Sequence, residues 1–91
     1  MANIRHQLTM IDLQLAIASV SDKTTYRAKQ KGFGVMASSH EILGIIEDEV
    51  QEYRDEVHDK SKAESKIEEL KDIAVACIFG IASIQSGGVD W

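Results

Sequence analysis

Two acidic pairs with helical spacing are the residues of this chain whose types could do chemistry: Glu49 with Glu52 in the stretch EDEVQE, and Glu69 with Asp72 in EELKD. Positions three apart share a helix face, so each pair can aim two carboxylates at one point. Glu49 is the unusual member. Ile42, Ile45, Ile46, Val50, Tyr53 and Val57 form the apolar face of their helix, and Glu49 projects between Ile42 and Ile45, with Glu56 close to the same line. A carboxylate set in an apolar face is expected to be protonated, paired with a cation or bound to a metal, because burying a lone charge is costly. Glu69 and Asp72 in turn share a face with Ala76 and Phe79. A single E-x-x-E is ordinarily a solvated helix face. Two such pairs on consecutive helices of an antiparallel hairpin can bring four oxygen ligands together, a set suited to a hard cation such as Mg²⁺, with Mn²⁺ as a substitute.

The elements that would position these groups are helices. The chain has 91 residues, no proline and 5% aromatics, which suits an all-α fold of one domain better than a sandwich or barrel. In the first segment Ile4, Leu8, Ile11, Leu15 and Ala18 make one apolar stripe and Met10, Leu13, Ile17 and Val20 a second, so this helix needs two partners. The basic segment SDKTTYRAKQKGFG either continues that helix or follows a break near Ser21, with Gly32 and Gly34 marking a helix end or loop. Ser38 with Glu41, and Ser61 with Glu64, are spaced as capping boxes and predict the starts of a second and third helix joined near HDKS. The third helix carries Ile67, Leu70, Ala74, Cys77, Ile78, Ile81 and Ile84 on its main stripe, with Val75, Ala76 and Phe79 facing away. It should therefore be buried twice, once in the hairpin and once by another partner.

Composition narrows the function. The net charge is -5, and residues 47–59 hold seven carboxylates against one arginine, so no nucleic-acid polymer is expected on that face. The uncharged run 73–89 is interrupted by glycines and polar residues and falls short of a membrane span. One cysteine and no signal-like N-terminal segment favour a cytoplasmic protein. Several single residues have ordinary readings. Asp55 with His58 resembles half of a di-iron ligand set whose second half the sequence lacks; His6 and His40 suit surface or capping roles, and Cys77 a small core position. The tail SGGVDW is expected to fray or to dock through Trp91.

Asp48, Glu49 and Glu52, a gap of 16 residues, then Glu69 and Asp72, resemble the E-E-x-x-E, gap, E-x-x-D signature of the all-α nucleoside triphosphate pyrophosphohydrolases, the MazG-like superfamily. The helices SHEILGIIEDEVQEYRDEV and KIEELKDIAVACI resemble that family's two signature helices, so similarity covers residues 39–84 of a single domain, 1–91. The resemblance implies a nucleotide substrate cleaved between its α and β phosphates, as a triphosphate or in some branches a diphosphate, in the house-cleaning of nucleotide pools. It implies Mg²⁺ held by Glu49, Glu52, Glu69 and Asp72. Asp48, one methylene shorter than the family's usual glutamate, would hold an outer-shell water. Lys29, Lys31, Lys66 and Lys71 are the candidates for phosphate contacts, and Tyr26 or Phe33 for stacking on a base. The family also implies a homodimer or homotetramer in which helices of two subunits complete a four-helix-bundle unit. The competing reading is a MazG-like oligomeric binding protein without turnover, and a third is a structural bundle whose acids are solvated.

Overall fold

Thr9 starts the first helix: its hydroxyl accepts from the Asp12 backbone N–H at 3.1 Å, and the Asp12 carboxylate accepts from the Thr9 backbone N–H at 2.8 Å. This capping box, in the sequence TMID, satisfies two groups that a helix start leaves unpaired, and it places Leu8 before the helix. The structure, a computed structural model, describes residues 5–89; Ile4 and Trp91, named above, lie outside the described residues. Three helices result: α1 (Met10–Lys31), α2 (Ser39–His58) and α3 (Ala63–Gln85). There is no break near Ser21. α1 runs through the basic segment and stops at Gly32, whose φ of 92° takes the chain out of the helix, with its N–H still donated to Ala28 at 2.8 Å.

α2 begins as its sequence predicts. Ser38 is the N-cap, accepting from the Glu41 N–H, while the Glu41 carboxylate reaches one residue further back, to the Ala37 N–H at 2.9 Å. The predicted Ser61 cap is not formed: Lys62 is the N-cap of α3 and makes no side-chain cap bond. Ser61 serves the preceding helix instead. Its N–H donates to the Glu56 carbonyl and that of Lys60 to the Val57 carbonyl, a Schellman closure with Lys60 in the left-handed region at φ 54°. α3 closes in the same way through Gly87, at φ 80°, and Gly88.

α2 and α3 form an antiparallel hairpin, Ile42 lying against Gly80 near one end while the acidic pairs meet in the middle; α1 packs on another side of α3. The side of α3 that enters the hairpin differs from the expected one. Val75, Ala76, Gly80 and Ser83 are its buried residues, whereas the large residues of the main stripe, such as Ile67, Ile81 and Ile84, stay about half exposed. Small residues let two helix backbones approach closely: a Cβ built on Gly80 would stand 2.9 Å from Ile42 Cγ2. The bulky stripe is left facing outward. Among the described residues no helix is long and apolar enough to cross a membrane.

Candidate metal centre

The hairpin register brings Glu49 and Glu52 of α2 to Glu69 and Asp72 of α3. One carboxylate oxygen from each can be chosen so that all four lie within 4.8 Å of one another. Glu52 is exposed; the other three are half-buried. Glu49 Oε2 and Glu69 Oε2 are shielded from solvent and have no hydrogen-bond partner among the described residues. A buried carboxylate oxygen without a protein donor needs a proton, a water or a cation to satisfy it. Protein electrostatics respond accordingly. Burial first, then the charges of Glu52 and Asp72, raise the Glu49 carboxyl above the usual carboxylate range; burial first, then the neighbouring Glu52 carboxylate, do the same for Glu69. The donor set, four carboxylates and no nitrogen or sulfur ligand, fits a hard divalent cation.

The cluster opens onto a cavity of about 310 Å³ between the end of α1, the loop after it and the hairpin. Glu49, Asp72, Arg27 and Lys31 supply its charged wall; Val35, Met36, Ile45, Val75 and Phe79 supply much of the apolar remainder. The loop is pinned by Ser83, 3% exposed, whose hydroxyl accepts from the Met36 N–H at 3.0 Å and donates to the Phe79 carbonyl at 2.8 Å. Val35 is seated against Gly88, where a Cβ would come within 2.8 Å of it.

Of the predicted contact residues, Lys31 lines this cavity and Lys29, Lys66 and Lys71 do not; Lys71 instead pairs with Glu68 at 3.0 Å. Tyr26 and Phe33 are exposed and outside the lining. Asp48 points away from the four carboxylates, into a shallow depression with Ile46, Val50 and Arg54, as a 100° step from Glu49 requires. Two basic residues of α1 that the sequence places in the basic segment but not in the site pair with Asp72. Lys23 Nζ lies 2.6 Å from Asp72 Oδ1 and 3.3 Å from Glu68 Oε1, and Arg27 Nη2 donates to Asp72 Oδ1 at 3.1 Å. Their signal was the spacing Lys23, Arg27, Lys31, a basic stripe of i, i+4 steps along α1.

The fold and site define a three-helix protein with a carboxylate cluster across its hairpin. No protein-family profile, no curated protein and no solved structure matches this chain.

Proposed function

We propose that this protein is a Mg²⁺-dependent nucleotide pyrophosphohydrolase that cleaves a nucleoside or deoxynucleoside triphosphate between the α and β phosphates, yielding the monophosphate and pyrophosphate, in the house-cleaning of nucleotide pools. The observation that carries this reading is the convergence of Glu49, Glu52, Glu69 and Asp72, with the solvent-shielded oxygens of Glu49 and Glu69 lacking a donor among the described residues. These four residues would hold Mg²⁺, or Mn²⁺ in its place. When bound, the metal supplies neutralisation of phosphate charge and a more acidic water. The chain's own contribution is a half-buried carboxylate wall that limits solvent, with a cavity beside it large enough for a small ligand and cationic on one side.

The large outward residues of α1 and α3 support a homodimer or homotetramer, and the single cysteine, Cys77, supports a cytoplasmic setting. The test is pyrophosphate and phosphate release from a panel of standard and modified nucleotides with Mg²⁺ or Mn²⁺, comparing the wild type with Glu49→Gln and Asp72→Asn. Pyrophosphate release by the wild type, reduced at least about a hundredfold in both variants, is the expected result. A folded wild type without turnover on any nucleotide overturns it.

One observation favours a second reading, a helical binding protein of the same fold without turnover: Asp72 already holds two cationic side chains. Under that reading metal and nucleotide bind by calorimetry while no product forms.

A further inference from the structure

Asp72 Oδ1 accepts from both Lys23 and Arg27, but the two cations are placed differently. Lys23 is the more buried, 16% exposed, and is anchored a second time on Glu68, through both the carboxylate and the backbone carbonyl. Arg27 is 31% exposed, and Asp72 is its only ion-pair partner among the described residues. Arg27 also lines the cavity that Glu49 and Asp72 face, and Lys31, one turn further along the same face of α1, lines it too. A divalent cation at the four carboxylates competes with Arg27 for Asp72, because both draw on the same carboxylate charge. A released guanidinium has the cavity directly beside it, and its planar fork matches a phosphate.

We propose that Arg27 and Lys31 form the polyphosphate-holding side of this cavity, with Arg27 stored on Asp72 in the metal-free protein and turned to a phosphate once the carboxylates hold a divalent cation. This rests on the metal-dependent reading above and adds the anion site, for which the family resemblance leaves Lys29, Lys31, Lys66 and Lys71 as unranked candidates. Lys23 remains on α3 through Glu68 and keeps α1 docked while Arg27 moves.

The test uses calorimetry with Mn²⁺ alone, then with inorganic pyrophosphate in the presence of Mg²⁺, on the whole chain and its Arg27→Gln, Arg27→Lys and Lys31→Gln variants. The expected result is Mg²⁺-dependent pyrophosphate binding that weakens at least about tenfold in Arg27→Gln, recovers in part in Arg27→Lys, and weakens in Lys31→Gln, an exposed position where folding is not at issue. Mn²⁺ affinity in Arg27→Gln stays the same or tightens, since a competitor for Asp72 is gone; a merely structural role would lower Mn²⁺ affinity and the melting temperature together. Wild-type pyrophosphate affinity in both glutamine variants, with Mn²⁺ binding intact, overturns this proposal alone. Failure of the wild type to bind Mn²⁺ overturns it together with the reading beneath it.

Discussion

Glu49 and Glu69 hold their protons more tightly in the folded chain than an ordinary glutamate does. The sign of the resulting pH dependence follows from linkage. Between the ordinary value of 4.5 and the raised folded values, the folded state binds more protons than the unfolded one, so metal-free stability falls as pH rises through that window. Glu68 is shifted downward, first by its hydrogen bonds to Lys71 and Lys23, and Asp12 by its bonds to Thr9; their contributions are lost only below the ordinary carboxylate range and do not oppose the trend. Thermal melts in chelator from pH 4.5 to 7 should therefore show a falling melting temperature, flattened or reversed by saturating Mn²⁺, which binds the deprotonated carboxylates. Glu49→Gln removes the charge and should raise the metal-free melting temperature at pH 7 while weakening Mn²⁺ binding by at least about tenfold. A variant less stable than the wild type in chelator would mean that Glu49 is held by a donor rather than waiting for a cation.

The elements have their own weak and strong points. Ser83 ties the loop over the cavity to α3, so Ser83→Ala leaves the Met36 N–H without its acceptor and should cost about 1–3 kcal/mol in denaturant unfolding. Gly80→Ala pushes a methyl group into Ile42 where α2 and α3 pack, with an expected loss of about 1–3 kcal/mol from overpacking. The turn between α2 and α3 offers the opposite case. Lys60 is exposed and left-handed, a conformation that strains a residue with a Cβ, so Lys60→Gly should raise stability by about 0.5–1 kcal/mol. An unchanged or lower unfolding midpoint would mean that the strain is already relieved by the Schellman closure.

At the scale of the molecule, three helices spread over 54 × 29 × 25 Å bury no large side chain completely. Residues 10–18 of α1 are exposed all round, and an apolar groove between α1 and α3, lined by Ile17, Val20, Ala74 and Ile78, stays open. A chain of this size with so little core gains most by association. Sedimentation equilibrium should show a dimer or tetramer whose melting temperature rises with protein concentration, and Ile17→Asp should shift it toward the monomer. A wild type that stays monomeric at high concentration would refute the oligomeric part of the proposed function.

By itself the sequence determined three things about this protein: its all-helical character, the Ser38 start of α2, and the two acidic pairs with Glu49 set into an apolar face. Each is a local property, written in 3.6-residue periodicity, cap chemistry and the distance between neighbouring turns. The tertiary structure decided the rest. α3 is apolar on nearly every side, so hydrophobicity could not tell which side enters the hairpin; close approach of backbones selected Ala76, Gly80 and Ser83 and turned the larger isoleucines outward. Ser61 looked like a cap but was consumed in closing α2, because two helix ends share one short linker. Asp48, adjacent to Glu49 in the chain, was rotated out of the cluster, while Lys23 and Arg27, 49 and 45 residues from Asp72, were brought onto it. Ion pairs across helices depend on how the helices cross, and that crossing is set by packing rather than by any single segment.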